Sequence, residues 1–155
     1  MNEGQNIKKI SEFKDNSLLI VDDDNPFRER LSRAMEKKGF LVSQAESVKL
    51  GIESVKLKKP AFAVVDLRLN DGNGLEVVKE IQKNNTDSRI IMLTGYGNIP
   101  TAVAAIKEGA IDYLAKPADA DDVEKALLAD PNKKAAPPES PMSADRVKWE
   151  HIHRV

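Results

Sequence analysis

Five short apolar runs, each followed by a segment with helical periodicity, are the feature that most constrains what this chain can fold into. Several runs are continuous and β-branched, which is typical of parallel strands buried on both faces of a sheet. The runs cover residues 18–21, 41–43, 62–65, 89–93 and 112–115. The alternation predicts an α/β fold with right-handed crossovers, and the pattern alone leaves open which of the two common doubly wound strand orders is adopted.

The segments between the runs carry helix signals. Pro26 suits the first turn of a helix and Gly39 suits the position just after its end. Phe27 and Leu31 belong to an apolar stripe that gives this helix one buried face. Further helices are predicted over residues 47–58, from residue 74 onward, over 100–108 and over 120–129.

The two ends of the chain differ in composition from its middle. Residues 1–16 are polar and of mixed charge, so they predict a flexible lead rather than a signal peptide. Residues 130–142 hold four prolines and predict an extended linker, and Ser143 could cap a short helix over 143–155. Residues 17–129 between these ends are predicted to form one domain.

Composition excludes several classes of function. The chain has no cysteine, which excludes disulfides, thiolate metal sites and cysteine nucleophiles. The formal net charge is -1, whereas a nucleic-acid-binding domain usually carries a basic excess. No apolar run approaches the ~18 residues that a membrane span needs. We therefore expect a soluble cytoplasmic protein with no membrane contact.

Acidic residues follow two of the predicted strands directly. Asp22, Asp23 and Asp24 come after the first run, and Asp66 comes after the third. If those strands are neighbours, Asp22, Asp23 and Asp66 meet at the carboxyl edge of the sheet, where each pair of charges repels by ~4 kcal/mol. A cation would offset this repulsion, and carboxylate oxygens suit Mg²⁺. The simpler interpretation is that these acids are helix caps and solvated loop residues.

A hydroxyl and an ammonium group are predicted to reach the same edge. Thr94 ends the fourth predicted strand, and Lys116 follows the fifth. This set matches the needs of phosphoryl transfer to a carboxylate, with Asp66 as the nucleophile. In that interpretation Mg²⁺ and Lys116 neutralise charge on the phosphoryl oxygens, and the Thr94 hydroxyl donates a hydrogen bond to one of them.

Four motifs resemble the receiver domain of two-component response regulators. They read LLIVDDD, VVDLRLNDGNGL, IIMLTG and YLAKP, and the resemblance spans residues 17–129. It implies a flavodoxin-like (βα)5 doubly wound parallel sheet with strand order 2-1-3-4-5. It also implies Asp66 as the phosphoacceptor, Asp22 and Asp23 as the Mg²⁺ acids beside it, and the main-chain carbonyl of Arg68 as a further metal ligand.

The same resemblance assigns the remaining site residues. Thr94 corresponds to the switch hydroxyl, Lys116 to the phosphate-binding lysine and Tyr113 to the aromatic switch. The Lys116–Pro117 bond corresponds to a cis peptide, and cis bonds are essentially confined to X-Pro. The sequence departs from the family at Asn70, where many receivers have proline.

A narrower resemblance concerns the carboxyl-terminal third. The segments TGYGNI, AIDYLAKPADADDV and PMSADRVKWEHIHRV are similar to the alphaproteobacterial redox-responding regulators, in which a proline-rich linker joins the receiver to a Fis-type helix-turn-helix. Residues 143–155 would then be the first helix of a truncated DNA-binding effector domain. Within it, His151 and His153 are expected at the surface rather than as metal ligands, and Trp149 and Ile152 as packing residues.

The resemblance implies a switch rather than an enzyme with a separate substrate. The chain would accept a phosphoryl group from a sensor histidine kinase, catalyse only its own phosphorylation and dephosphorylation, form a homodimer and reach DNA only through the missing effector. We hypothesise that Thr94 swings toward the phosphoryl group and that Tyr113 turns inward behind it. Arg68 and Tyr96 are predicted to shield the phosphoryl group from water and slow its loss.

Two other functions fit parts of the pattern. In a small phosphatase of the haloacid-dehalogenase type, Asp22 would be the nucleophile, Asp24 the general acid and Asp121–Asp122 the last acidic pair, with Thr94 and Lys116 as its other motif residues. A docking module that works without phosphorylation would need none of the acids. The complete set of acids favours the receiver over both alternatives.

Overall fold

A parallel sheet of five strands forms the centre of the fold. The computed structural model describes residues 9–84, 87–95, 99–107, 109–110 and 112–129, so the predicted linker and C-terminal helix lie outside the described residues. The strands are β1 (Ser17–Val21), β2 (Leu41–Ala45), β3 (Phe62–Asp66), β4 (Arg89–Thr94) and β5 (Asp112–Ala115). Their spatial order is 2-1-3-4-5 with every neighbouring pair parallel, which confirms the predicted topology.

Five helices cover the two faces of the sheet. They are α1 (Asn25–Lys37), α2 (Val48–Leu57), α3 (Leu75–Asn84), α4 (Ile99–Lys107) and α5 (Ala120–Leu128). Leu31 of α1 and Leu127 of α5 belong to one core cluster, whereas Val55 of α2, Val78 of α3 and Ala102 of α4 belong to the other. None of the described helices is long and apolar enough to span a membrane.

Successive strand residues face opposite clusters, which explains the continuous apolar runs in the sequence. In β1, Leu18 and Ile20 face α1 and α5, while Leu19 and Val21 face the other three helices. All four side chains are at most 2% exposed. A strand covered on both sides needs apolar residues at every position rather than at alternate ones.

A short hairpin follows β3, with two residues in each strand. No sequence pattern predicts it. Arg68–Leu69 pairs antiparallel with Gly72–Asn73. The Asp71 carboxylate at its turn accepts hydrogen bonds from the main-chain N–H groups of Val48 (2.8 Å) and Lys49 (3.1 Å), which start α2. These bonds lower the pKa of Asp71. The loop that lacks a proline at Asn70 is therefore tied to a helix terminus by a carboxylate.

Gly74 closes this loop at a position where no side chain fits. A Cβ atom there would collide with the main-chain oxygen of Asp66. The Gly74 N–H donates a hydrogen bond of 2.7 Å to the carbonyl of Leu67, so the backbone passes directly beneath the end of β3. The glycine lets α3 begin immediately below the predicted phosphoacceptor.

Part of the predicted lead, residues 9–13, packs on the domain. Ile10–Glu12 forms a 3-10 turn, and Ile10 and Phe13 pack against the α1/α5 side of the core. The Phe13 ring meets the Phe62 ring edge-on at 5.2 Å between centroids. The physical reason is that two apolar residues three positions apart share one side of the turn, and the apolar end of the sheet offers them burial.

Arg89 links this amino-terminal segment to the end of α5. Its guanidinium carbon lies 5.1 Å from the Phe13 ring centroid. Its Nη1 donates hydrogen bonds to the carbonyls of Leu127 (3.1 Å) and Ala129 (2.7 Å). The last carbonyls of a helix have no partner within the helix, so an arginine at this position satisfies them.

Candidate functional site

The carboxyl ends of β1 and β3 bring three carboxylates together. Val21 is paired with Val65, so Asp22 and Asp66 leave neighbouring strands at the same level. Asp22 is 0% exposed and Asp66 is 7% exposed, while Asp23 is partly exposed. One carboxylate oxygen from each of the three acids lies within 4.8 Å of the others. This is the cluster that the spacing of the acids predicts.

Lys116 brings an ammonium group to the same cluster from the end of β5. Its Nζ lies 3.0 Å from Asp22 Oδ2 and 3.2 Å from Asp66 Oδ2. Its main-chain N–H donates a hydrogen bond of 2.8 Å to the carbonyl of Thr94, which continues the pairing of β4 with β5. The peptide bond between Lys116 and Pro117 is cis, as the resemblance implies.

Negative charge exceeds positive charge among the described residues of the site. The pKa of Asp66 is raised to about 6, first because burial disfavours the charged carboxylate and second because Asp22 repels it, with Lys116 acting in the opposite direction. Burial alone lowers the pKa of Lys116, but the nearby charges of Asp66 and Asp22 outweigh it and raise that pKa. The Lys116 ammonium pairs with Asp22 and Asp66, while Asp23 adds a third carboxylate to the cluster, so the site favours further positive charge.

The acid cluster fits a hard divalent cation such as Mg²⁺. Asp22 Oδ1 accepts a hydrogen bond of 2.9 Å from the Asp24 N–H. The buried Asp22 Oδ2 accepts no hydrogen bond from any described residue, although Lys116 lies within ion-pair distance. Leaving a buried polar atom unsatisfied is costly, whereas an oxygen-preferring cation would use it. Arg68 lies beside the cluster, and its N–H is 3.4 Å from Asp66 Oδ1.

Thr94 lies at the end of β4, as predicted. Its side chain is 1% exposed, and its hydroxyl donates a hydrogen bond of 3.1 Å to the carbonyl of Gly95. The hydroxyl is thus engaged with its own loop in this structure. Tyr96, the other predicted residue of this loop, lies outside the described residues.

Tyr113, the predicted aromatic switch, lies in the core of the described domain. Its side chain is only 9% exposed and belongs to the same core cluster as Met92 and Ala102. The ring is buried because its large apolar surface gains by removal from water. The proposed movement of Tyr113 on phosphorylation stays a prediction.

The other acids of the phosphatase alternative serve as structural residues. Asp24 caps α1, because its Oδ1 accepts a hydrogen bond of 3.1 Å from the Phe27 N–H. Asp121 forms an ion pair of 2.6 Å with Lys38, and both it and Asp122 lie in the first turn of α5. A phosphatase would need these acids at the strand ends, so the structure argues against this alternative.

Two residues of α1, Phe27 and Arg28, contact site residues. Their positions in the sequence do not indicate these contacts. Arg28 is buried, and its Nη1 donates a hydrogen bond of 2.8 Å to the carbonyl of Asp22 while its Nε donates to Gln44 at 2.8 Å. The Phe27 ring centroid lies 5.1 Å from Lys116 Nζ. Helical periodicity assigns Phe27 to the core stripe, and no local pattern connects it with a lysine so distant along the chain.

Comparison with known proteins identifies relatives of the whole described domain. The family model of the response regulator receiver domain matches residues 18–128. The acid tolerance regulatory protein ActR of Rhizobium meliloti (strain 1021) is 61% identical over 141 residues, covering 91% of this chain and 73% of that protein. The photosynthetic apparatus regulatory protein RegA of Rhodobacter capsulatus is 60% identical over 141 residues, covering 91% of this chain and 77% of that protein.

Solved structures show the same architecture. A response regulator protein from Burkholderia pseudomallei, crystallised with a phosphorylated aspartic acid, calcium ion and citrate, is 34% identical with a TM-score of 0.73, covering 90% of this chain and 83% of that one. A response regulator receiver domain protein from Clostridium thermocellum is 28% identical with a TM-score of 0.68, covering 77% of this chain and 96% of that one. This chain therefore belongs to the response regulator receiver domain family.

Proposed function

We propose that Asp66 is the phosphoacceptor of this receiver and that it takes its phosphoryl group from a sensor histidine kinase. The observation that carries the proposal is the convergence of Asp22, Asp23 and Asp66 on one point, with Lys116 between two of them. An Asp66 carboxylate oxygen attacks the phosphorus of a phosphohistidine. The phosphorus–nitrogen bond breaks, and its electron pair returns to the histidine ring.

Side chains of this chain supply the charge and hydrogen bonds that the transfer needs. Asp22, Asp23, Asp66 and the main-chain carbonyl of Arg68 would hold Mg²⁺, which when bound neutralises negative charge on the phosphoryl oxygens. Lys116 is already within 3.2 Å of an Asp66 oxygen and donates to the phosphoryl group formed there. Thr94 exchanges the Gly95 carbonyl for a phosphoryl oxygen as its acceptor.

The Thr94 exchange connects the site to the surface of the domain. A phosphorylated residue carries roughly -1.5 to -2 charges and three acceptor oxygens, which strengthens every donor contact at this edge. Moving an equilibrium from 1:99 to 99:1 takes about 5.5 kcal/mol, which two or three charge-assisted hydrogen bonds with a bound cation can supply. The Thr94–Gly95 backbone leads into α4, so the face of α4, β5 and α5 is remodelled and forms a homodimer.

The output is control of transcription through an effector domain. The similarity to regulatory proteins and the proline-rich segment after Ala129 support a linker to a DNA-binding domain of the Fis type, with residues 143–155 as its first helix. The expected location is the cytoplasm. Arg68, whose side chain is exposed beside the site, and Tyr96 are proposed to slow dephosphorylation by hindering the attacking water.

Phosphorylation by a small donor tests the proposal. The protein is incubated with acetyl phosphate and Mg²⁺, and its intact mass is recorded for the wild type, Asp66→Asn and Asp24→Asn. We expect one phosphoryl group on the wild type and on Asp24→Asn, because asparagine also caps a helix. No adduct is expected on Asp66→Asn or when Mg²⁺ is removed with a chelator.

Two results would contradict the proposal. An adduct that survives in Asp66→Asn would place the acceptor elsewhere. A wild type that gains no mass and also fails to bind beryllofluoride would leave a docking module that works without phosphorylation as the better account.

A further inference from the structure

We propose that Phe27 is a positioning residue for phosphoryl transfer, whose aromatic face holds the Lys116 ammonium group at the strand ends. The inference rests on the proposed function and deepens it, because it names a residue on which the phosphate-binding lysine depends. The contact joins α1 to the end of β5, two parts of the chain that share no local sequence pattern.

The geometry is that of a cation–π contact. Lys116 Nζ lies 5.1 Å from the Phe27 ring centroid, within the roughly 6 Å over which the negative face of a ring attracts a cation. The ammonium also lies 3.0 Å from Asp22 and 3.2 Å from Asp66. Its side chain is 29% exposed, so water screens these contacts only in part. Two acids and one ring thus determine its position.

Phe27 is itself held firmly against the end of β1. Its main-chain N–H donates to the Asp24 cap, and its side chain packs on the α1/α5 side of the core. The next residue, Arg28, is buried and is bonded to the Asp22 carbonyl and to Gln44. The first turn of α1 is therefore bonded to the residue after β1 and to β2, which places the ring beside the acid cluster.

The ring offers Lys116 something that the acids cannot offer during the reaction. When a cation and a phosphoryl group enter, Asp22 and Asp66 gain new partners and their hold on the ammonium weakens. The ring gains none of these partners. It attracts the ammonium through its quadrupole without offering an anionic group that would compete with the phosphoryl oxygens for its N–H donors. Phe27 thereby keeps Lys116 in place as the other contacts are exchanged.

A purely structural role for Phe27 is the rival explanation. The ring also lines a groove of about 530 Å³ between α1 and the start of α5, together with Leu31 and Ala118. Arg30 lies 5.9 Å from the same ring and is a second cation that could use it. A decisive experiment must change the electrons of the ring while preserving its shape, and it must separate Lys116 from Arg30.

Fluorinated phenylalanines at position 27 provide this test. The full chain is made with phenylalanine or its mono-, di- or trifluorinated forms, which weaken the negative ring face stepwise with little change in shape. We expect the rate of phosphorylation by acetyl phosphate to fall with each fluorine, by about two- to fivefold for the trifluorinated form, as a partly exposed cation–π contact allows. The Mg²⁺ dissociation constant and the melting temperature should stay constant.

Arg30→Gln is the matched control, because it removes the other cation near the ring and leaves Lys116 in place. The same decline across the fluorinated series is expected in this background. A flat series, a decline that disappears in Arg30→Gln, or a parallel loss of Mg²⁺ affinity would each overturn the role assigned to Phe27. A flat series in a wild type that takes the phosphoryl group would leave the proposed function intact. A wild type that takes no phosphoryl group would contradict both the proposed function and the role of Phe27.

Discussion

The Asp66 carboxylate is expected to destabilise the folded protein when no cation is bound. It is buried beside Asp22, and Lys116 and the main-chain N–H of Arg68 compensate in part. We expect Asp66→Asn to raise the free energy of unfolding of the metal-free protein at pH 7 by on the order of 1–3 kcal/mol, because the variant removes a buried charge of raised pKa. Urea denaturation in the presence of a chelator measures this. An unchanged or lower stability of the variant would contradict the raised pKa.

The same carboxyl group predicts a pH dependence. The pKa of Asp66 is about 6 in the folded protein against a usual value of 3.8, so the folded state binds more protons between these values. The stability of the metal-free protein should therefore decline as the pH rises from about 4 through 6. Denaturation midpoints across this range should show the decline in the wild type and a smaller one in Asp66→Asn. Equal profiles for the two proteins would exclude Asp66 as its source.

At the scale of single residues, the sequence predicts the site residues that lie at strand ends. It does not predict the residues elsewhere that hold those site residues in position. Asp22, Asp66, Thr94 and Lys116 were predictable because the carboxyl ends of parallel strands share one edge. Phe27 supports the site through a contact between distant parts of the chain. Such contacts depend on how helices are placed over the sheet, which apolar periodicity describes only as a face.

The hairpin after β3 is anchored to α2 by an acid outside the site. Asp71 joins the hairpin to the start of α2 through two hydrogen bonds, and Arg68, whose carbonyl is the proposed ligand, lies in the same hairpin. We expect Asp71→Ala to weaken Mg²⁺ binding several-fold, because the hairpin loses its anchor. Isothermal calorimetry with Mg²⁺ measures the change.

Ser47→Ala is the control for Asp71→Ala. Ser47 caps the same helix by accepting a hydrogen bond of 3.0 Å from the Leu50 N–H, and it has no bond to the hairpin. Its loss should weaken α2 and leave Mg²⁺ affinity near that of the wild type. Equal affinities in both variants, whether high or low, would mean that Asp71 has no specific effect on the metal site.

Helices and strands of several residues were predictable from periodicity, and their observed ends differ mostly by one or two residues. The hairpin was not predictable, because strands of two residues span a single period of the strand pattern, too few to show an alternation. Its fixed shape comes from the Asp71 carboxylate and from the space that Gly74 leaves free. The departure at Asn70 therefore changes how the loop is held and leaves the acid cluster assembled.

At the scale of the whole molecule, the amino-terminal segment of residues 9–13 packs on the end of the sheet opposite the acid cluster. The Phe13 ring packs against Phe62 and under Arg89. We expect Phe13→Ala to lower the free energy of unfolding by about 1–3 kcal/mol, less than for a fully buried aromatic because Phe13 is half-buried. Urea denaturation checks this, with the exposed neighbour Lys14→Ala as the control. Equal stability of the two variants would mean that the segment contributes nothing.

The packing of the turn at Ile10–Glu12 was not predictable from composition, because composition averages over a whole segment. Most of residues 9–16 are polar, yet Ile10 and Phe13 alone are enough to dock the segment on the core. The parallel sheet was predictable because its signal is repeated five times along the chain. The turn at Ile10–Glu12 occurs once, so no repeated sequence pattern indicates it.

The bridge from Arg89 to Leu127 and Ala129 has a practical consequence for exchanging receivers between regulators. A receiver cut out at the first residue of β1, Ser17, would take Arg89 with it and leave behind the aromatic ring on which the guanidinium rests. A transplanted effector domain would follow the end of α5. There, Arg89 would still bind the carbonyls of Leu127 and Ala129, but it would have lost its contact with the Phe13 ring. A chimaera that keeps the native geometry at this junction should therefore carry the segment from Lys9 onward together with the receiver.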